Sequence, residues 1–327
     1  MNTNIKFFSY LVCFLPAALI TGPFLSDLIV TVCAISFLAY SFLNNKLSYF
    51  NNTFFKFFII FWLYIIFNSF FATEILVSLK VTIPYLRFAI FTILIIYLID
   101  NDKNFIVRFS KILIITFSIV LFDSFFQYIF GFNILGLEPP KADRLSSFFG
   151  EEMIVGSFLS RLFPLVLFSV LILSQKYNKN IKYLGALFLI LTDIIIFLSG
   201  ERTSFGILLI INIGFIILIN QMKWIRVFSF AVSIVLIIVI SSSNSVVKNR
   251  MIDQTIKDFG IKENNLKSFS HIHQDHYNTS LNMFKSKPLS GIGVKMFRYE
   301  CHKEQYRVGK WNCTSHPHHM HLQLLSE

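Results

Sequence analysis

Residues 182–199 read KYLGALFLILTDIIIFLS, and among these eighteen residues only Lys182 and Asp193 carry a charge. A helix of about 20 apolar residues spans the hydrocarbon core of a bilayer, so this stretch predicts a membrane-spanning helix. Eight further runs of similar length predict the same structure. The nine runs cover residues 7–22, 24–43, 54–72, 82–99, 111–130, 157–174, 182–199, 204–220 and 225–241.

The composition of the 327 residues agrees with an all-α, polytopic transmembrane helical bundle. Hydrophobic residues make up 55% and charged residues 14%, and the mean hydropathy is +0.64. A water-exposed globule of this composition is excluded, because it could not cover its surface with polar groups. The 13 Gly, 8 Pro and 4 Cys exclude collagen-like chains and disulfide-dense scaffolds. The net charge of +11 would suit a nucleic-acid binder, but in a membrane protein basic residues mark cytoplasmic loops, so no nucleic acid is expected as a partner.

The distribution of Lys and Arg predicts how the chain crosses the membrane. With a cytoplasmic N-terminus, the inner segments and span ends hold eleven Lys and Arg, including Arg226, against two Asp. The outer segments before residue 242 hold six Lys and Arg against seven acidic residues. Because cytoplasmic loops carry the excess of basic residues, we expect residues 1–241 to form the transmembrane bundle and residues 242–327 to form an extracytoplasmic loop.

The segment after residue 241 is polar and holds all eight histidines of the chain. Within it, Gln274 and Asp275 predict the start of a short amphipathic helix, and Pro288 predicts its end. We expect this helix to lie against the membrane or the bundle. Its apolar face is predicted to consist of Tyr277, Leu281 and Phe284.

Two cysteines, Cys301 and Cys313, precede the histidine-rich run at 316–321. Outside the cytoplasm a disulfide between them is the natural interpretation, and closing a loop of this size contributes roughly 3 kcal/mol in the chain-entropy model. The same cysteines and histidines also offer ligands for a structural zinc ion. Their spacing matches no recognised zinc motif, so no metal is expected. A solvated polar loop is the third interpretation.

Short motifs follow one another in this tail: PLSGIG at 288–293, FR at 297–298, Cys301, Cys313, SHPH at 315–318 and LQLLSE at 322–327. Upstream lie RLSSFFGEE at 144–152, Gly156-Ser157, and SGERTS at 199–204. Taken in the order in which they occur along the chain, from about residue 75 onward, these motifs resemble the bacterial O-antigen ligase and O-antigen polymerase superfamily.

The chain departs from that family in three places. Members usually have Asn where this chain has His319, and many have an Arg ahead of the amphipathic helix, where this chain has His273 and His276. Members also continue into further transmembrane helices after the signature loop. We therefore expect the 327 residues to be a fragment that lacks its C-terminal spans.

The resemblance implies a polytopic glycosyltransferase of the GT-C-like type in the bacterial inner membrane, with residues 242–327 in the periplasm. Such enzymes take a glycan from an undecaprenyl diphosphate carrier and pass it to a hydroxyl group. Ligases use lipid A-core as the acceptor, and polymerases use another carrier-linked glycan. The implied transfer is inverting and independent of metal, with no cofactor. The expected partners are donor, acceptor and membrane lipids; we expect an O-antigen ligase, with a polymerase as the alternative.

The resemblance also implies roles for individual residues. His318 matches the family histidine and is the expected catalytic base, because a neutral imidazole can accept the proton of an attacking hydroxyl group. His316 would orient it and bind substrate, although a purely structural histidine is an alternative for both. Arg202 would clamp the diphosphate, since a guanidinium binds phosphate in bidentate geometry; the alternative is an interfacial Arg that snorkels to the headgroups.

Three more residues are candidates for substrate binding. His276 stands near the position where family members have an Arg. Arg298, beside the expected disulfide, is either a second phosphate clamp or a surface Arg. Arg87, in the fourth apolar run, faces either the lipid diphosphate or the headgroups.

A different functional class is suggested by Asp123 and Asp193, which lie inside predicted spans. Ionisable groups in spans are functional candidates, and here they would suit a proton relay in a lipid-linked glycan transporter or flippase. A buried Asp can equally be paired with Lys or Arg. A transporter does not need a histidine-rich external loop, so the glycosyltransferase is the favoured hypothesis.

The predicted orientation can be tested with reporter fusions. We expect alkaline phosphatase joined after residue 244 to be active and green fluorescent protein at the same position to be dark, because that position is predicted to lie outside the cytoplasm. Fusions after residue 177, in a predicted cytoplasmic loop, serve as the control and should give the opposite pattern. A fluorescent and phosphatase-inactive fusion at 244 would overturn the orientation.

Overall fold

The structure is a computed structural model that describes residues 3–177, 180–259 and 271–327. All regular secondary structure in these ranges is helical, which confirms the predicted all-α class. The α-helices are α1 (Thr3–Ile20), α2 (Pro23–Leu43), α3 (Thr53–Ser69), α4 (Ile75–Thr82), α5 (Leu86–Asn101), α6 (Phe105–Phe130), α7 (Val155–Lys176), α8 (Ile181–Leu198), α9 (Arg202–Leu218), α10 (Lys223–Ser243), α11 (Ser245–Lys248), α12 (Gln254–Asp258), α13 (His271–Ser286), α14 (Phe297–Glu300) and α15 (Met320–Ser326).

Each of the nine apolar runs lies on helical structure. The segments that are long and apolar enough to cross a membrane are Pro23–Leu43, Ile75–Asn101, Phe105–Phe130, Val155–Lys176 and Lys223–Ser243. Shorter apolar helices cover Asn4–Ile20, Thr53–Ser69 and Arg202–Leu218. The chain is therefore a polytopic helical membrane protein, while the nine crossings and their direction stay predictions.

The chain packs into two compact units, each built from an early and a late segment. Unit 1 comprises Met1–Ile29 and Leu98–Ile256, and unit 2 comprises Val30–Tyr97 and Lys257–Glu327. This division follows packing within the chain. The predicted boundary between a membrane bundle and a periplasmic loop at residue 241 stays a prediction.

In unit 2 the tail packs against the segment that follows α3. Met283, Met296 and Phe297 are fully buried in one cluster with Ala72. Gly293 has a φ of +101°, and a Cβ atom there would overlap Ala72. Only glycine combines this backbone conformation with so close an approach, which explains the second glycine of the PLSGIG motif.

The predicted amphipathic helix exists as α13, but its predicted start was wrong. The helix begins at His271, so Gln274 and Asp275 lie inside it rather than at its N-cap. The Asp275 carboxylate instead accepts a hydrogen bond from the backbone N–H of Trp311 (3.1 Å). The side chains predicted to form the apolar face are half-buried, and the buried face of α13 consists of His276, Thr279, Ser280 and Met283.

Unit 1 has an apolar core in which α7 packs against α6, α8 and α9, and α8 packs against α10. Phe117, Leu159, Phe163 and Ile195 are fully buried there. Between helices in a membrane, close packing and polar contacts hold the bundle together, because lipid tails are as apolar as the side chains.

A buried ion pair joins α8 and α10 inside this core. Arg226, only 1% exposed, donates from Nη2 to both carboxylate oxygens of Asp193 at 2.8 and 2.9 Å. Arg226 Nε donates to Asn212 on α9 at 2.7 Å, and Ser233 donates to Asp193 at 2.8 Å. The charge of Arg226 is thus balanced within the bundle, so Arg226 no longer supports the predicted membrane orientation. The other ten Lys and Arg on the predicted inner side still support it.

The pair gives a stability prediction. Arg226→Leu leaves a buried carboxylate without its cation, which costs about 3–5 kcal/mol of unfolding free energy. The double variant Arg226→Met/Asp193→Leu removes both charges and should lose clearly less. Chemical unfolding in detergent micelles measures both, and an equal loss in the two variants would show that the ion pair is not the reason.

Candidate functional site

In unit 1, the Glu201 carboxylate binds the N-terminus of α7. It accepts hydrogen bonds from the backbone N–H groups of Gly156 (2.7 Å) and Ser157 (3.0 Å), and from the hydroxyl groups of Ser157 (2.5 Å) and Ser204 (3.0 Å). A helix N-terminus carries partial positive charge and unpaired N–H groups, so it suits an anion. A Cβ atom on Gly156 would overlap the Ser199 hydroxyl group, which explains the glycine.

Glu201 is the residue directly before Arg202, which is the first residue of α9. The contacts of Glu201 therefore fix the position of Arg202. Arg144 lies 4.0 Å from the Glu201 carboxylate and donates to the carbonyl of Met153 at 2.8 Å. The motifs at 144–152, 156–157 and 199–204 are therefore neighbours in unit 1, although 45 residues separate Gly156 from Glu201.

A further arginine, Arg250, reaches the same turn. Its Nε donates to the carbonyl of Gly200 at 3.2 Å and lies 3.7 Å from the Asp143 carboxylate. We call the turn 199–202 together with Arg144, Arg202 and Arg250 the arginine turn. Arg250 was not among the residues predicted from the sequence. The only sequence signal for Arg250 is that it is a basic residue shortly after the ninth apolar run.

The loop that carries Arg144 is held by polar side chains at the end of α6. Asp123 accepts from the N–H of Ile134 (2.8 Å) and the hydroxyl group of Ser147 (2.5 Å). Gln127 accepts from the N–H groups of Ser146 (2.9 Å) and Ser147 (2.8 Å). Asp123, a candidate for a proton relay, thus serves as an acceptor for the loop.

In unit 2, α13 and the segment before α15 bring four histidines together, which we call the histidine cluster: His273, His276, His316 and His318. The His318 ring centroid lies 4.3 Å from that of His316, 5.6 Å from that of His276 and 5.8 Å from that of His273. The structure therefore unites three of the predicted site residues, His276, His316 and His318, and adds His273.

The surroundings of two members, His276 and His318, favour the neutral imidazole by lowering its pKa. Partial removal from water lowers the pKa of His318 below its ordinary value of 6.5, and the charges of His316, His276 and His273 lower it further. Burial is also the main cause of the lowered pKa of His276, with His273 adding to it. His276 is 4% exposed, and its Nδ1 has no hydrogen-bond partner among the residues that the structure describes.

His318 has a positive φ of 56°, a conformation that costs a non-glycine residue free energy and that concentrates at functional sites. The next residue, His319, is the N-cap of α15 and accepts from the N–H of Leu322 through Nδ1 (3.3 Å). The left-handed backbone at His318, followed by the extended N-cap residue His319, sets the direction in which the His318 ring leaves the chain.

The other predicted residues lie elsewhere. Arg87 donates to the hydroxyl group of Thr31 at 3.0 Å within unit 2. Arg298 is exposed on α14. Arg202 belongs to unit 1 and His318 to unit 2.

The structure joins Cys301 and Cys313 by a disulfide. The ligand atoms of Cys301, His302 and Cys313 all lie within 4.8 Å of one another, which is close enough for a metal ion. The disulfide uses both sulfur atoms, and a metal needs thiolates, so these residues in their bonded form do not fit a metal site.

The pKa directions give a titration prediction. Because the fold lowers the pKa values of His276 and His318, both should titrate below 6.5 in NMR spectra of histidine-labelled protein, and the unfolding free energy should fall as the pH drops through those values. The double variant His273→Gln/His316→Gln removes two imidazoles that lower the pKa of His318 and should therefore raise it. His321→Gln is the control; an unchanged His318 pKa in the double variant would show that the neighbouring imidazoles do not lower it.

Comparison with known proteins was made along the whole chain. Residues 185–327 match the family model described as O-Antigen ligase. No curated protein and no solved structure matched the chain. The matched range contains Arg202, Arg250 and the histidine cluster. Residues 185–327 of the chain are thus similar to the O-antigen ligase family, which supports the resemblance to the O-antigen ligase superfamily.

Proposed function

We propose that the protein is an O-antigen ligase of the bacterial inner membrane, which moves a glycan from undecaprenyl diphosphate to a hydroxyl group of lipid A-core on the periplasmic face. The observation that carries this proposal is the O-antigen ligase family match over residues 185–327, a range that holds both an arginine-bearing helix N-terminus and the histidine cluster. These are the two groups that transfer from a diphosphate carrier requires.

The arginine turn supplies fixed positive charge for the leaving group. When the bond between the anomeric carbon and the phosphate oxygen breaks, negative charge develops on the diphosphate. The turn holds three arginines, and two of them, Arg144 and Arg250, lie 4.0 and 3.7 Å from the carboxylates of Glu201 and Asp143. Arg202 also lies at the N-terminus of α9, where helix N–H groups reinforce an anion site. In this mechanism Arg202 is the diphosphate clamp.

His318 is the proposed general base. The acceptor hydroxyl oxygen attacks the anomeric carbon from the side opposite the diphosphate, which inverts the anomeric configuration, and its proton passes to the His318 imidazole. A base must be unprotonated to do this, and the lowered pKa of His318 favours that neutral form. His316 and His276, whose rings lie beside it, help to bind and orient the acceptor. This chemistry calls for no metal or cofactor.

Arg298 and Arg87 are further proposed substrate-binding residues. Arg298 is exposed and could meet the glycan or a phosphate from the aqueous side. Arg87 lies in the helical segment Ile75–Asn101, where its hydrogen bond to Thr31 directs the guanidinium toward α2, and a lipid diphosphate is the ligand that would suit it there.

The buried aspartates argue against the rival transporter. Asp193 is in an ion pair with Arg226, and Asp123 holds the loop after α6. A proton relay needs groups that are free to gain and lose protons during the cycle, whereas the carboxylates of both aspartates are engaged in contacts that hold the fold together.

The residue assignments give a transfer prediction. His318→Ala should lower the transfer rate about 100-fold or more, which is the usual contribution of a general base, and Arg202→Ala should have an effect of similar size because the leaving group loses its bidentate partner. Transfer from purified carrier-linked glycan to lipid A-core is measured with protein in liposomes. His321→Ala and Arg161→Ala, which remove an exposed histidine and an exposed arginine, are the matched controls, and wild-type activity of either site variant would reject its role.

The acceptor is identified by deleting the gene and separating the lipopolysaccharide on a gel. A ligase predicts loss of all polymer from the lipid core while carrier-linked polymer accumulates. A single repeat left on the core would identify the alternative, an O-antigen polymerase with the same donor chemistry.

A further inference from the structure

A second concave site lies in unit 2 on the segment between the two bonded cysteines. It is a cavity of about 300 Å³, a size at the lower end for small-molecule sites. None of the histidines of the histidine cluster lines it. We call it the basic pocket, and its lining residues are His302, Arg307, Lys310, Trp311, Asn312 and Cys313.

The charge of the basic pocket is of one sign. Arg307 and Lys310 are both exposed, His302 adds an imidazole, and no acidic residue is among the described residues that line the pocket. Cationic side chains that line a concave surface raise the local concentration of anions. The ligand should therefore carry a carboxylate or a phosphate.

Trp311 adds a second type of recognition. Its side chain is 53% exposed although it is a large aromatic group, and the Lys310 ammonium group lies 5.7 Å from its ring centroid. An exposed indole costs hydration free energy unless it packs against a partner. The flat C–H face of a pyranose ring packs on an indole, whereas inorganic phosphate gains nothing from it. Indole and cations in one pocket fit an acidic sugar.

The pocket is held in shape before any ligand binds. The Asp275 carboxylate accepts from the Trp311 N–H, and Asn312, which is 6% exposed, donates to the carbonyl of Cys301 at 2.5 Å. The disulfide between Cys301 and Cys313 closes the segment. A preformed site loses less conformational entropy on binding than a mobile loop does.

We propose that the basic pocket binds an anionic sugar residue, that is, a pyranose that carries a carboxylate or a phosphate group. Trp311 stacks on the ring, and Arg307 and Lys310 pair with the acidic group. The proposal rests on the proposed function only for the source of the sugar, which would be a residue of the donor or acceptor glycan away from the bond that forms.

The test measures binding instead of transfer. Full-length protein in phosphatidylcholine nanodiscs is titrated calorimetrically with trigalacturonate, and the neutral trisaccharide maltotriose and inorganic phosphate are titrated in parallel. We expect trigalacturonate to bind at least tenfold more tightly than either control ligand. Arg307→Gln/Lys310→Gln and Trp311→Ala should each weaken binding at least tenfold, while Trp311→Phe, which keeps an aromatic ring, should weaken it less.

Lys285→Gln/Lys287→Gln is the charge-matched control, because both lysines are exposed near the end of α13 and do not line the pocket. It should bind like the wild type. Equal binding of trigalacturonate by wild type and Arg307→Gln/Lys310→Gln, or an unchanged affinity in Trp311→Ala, would overturn the proposal.

The same experiment separates this proposal from the proposed function. His318→Ala should bind trigalacturonate like the wild type, since His318 does not line the pocket. If the wild type binds the acidic sugar but transfers no glycan, the proposed function fails and the pocket stands. If it transfers glycan but does not distinguish trigalacturonate from maltotriose, the pocket fails and the proposed function stands.

Discussion

The Glu201 carboxylate is the constraint on which the arginine turn depends. It is 8% exposed, and a carboxylate so far removed from water must be paired or hydrogen-bonded to be tolerated. Its partners come from the N-terminus of α7, from Ser204 and from Arg144. Satisfying one side chain therefore requires that α7, α9 and the loop before α7 meet at one place. The position of Arg202 follows, because it is the next residue along the chain.

The helical core of unit 1 and the arginine turn differ in how their charged side chains are paired. In the core, Arg226 faces Asp193 with polar partners on both sides, so the pair is neutral and closed. At the turn, Arg144 and Arg250 lie within 4.0 Å of the Glu201 and Asp143 carboxylates, and Arg202 is half-buried, a setting in which an anion is bound more strongly than in water. The first arrangement stabilises the bundle, and the second is suited to a ligand.

The parts of the fold that follow local rules could be predicted from the sequence, and the parts that depend on long-range contacts could not. The apolar runs lie on helices because a spanning helix is encoded within about 20 consecutive residues. The start of α13 was misplaced because Asp275 looks like an N-cap, whereas its actual partner is Trp311, 36 positions away. The role of Arg250 and the contacts of Glu201 were not predicted either, because they too join residues that lie far apart in the sequence. His276 was chosen through a family resemblance, and only the packing of α13 on α15 explains why it lies beside His318.

The departure at His319 has a structural reason that bears on the base. Family members usually have Asn at this position, and Asn is among the best N-cap residues. His319 fills the same role, since its Nδ1 accepts from the Leu322 N–H, so the start of α15 is kept although the residue has changed. His318, directly before this N-cap, has a positive φ of 56°, and the backbone of His319 is extended. The substitution therefore preserves the capping contact that positions His318, and it places one more imidazole near the cluster without giving it the role of the base.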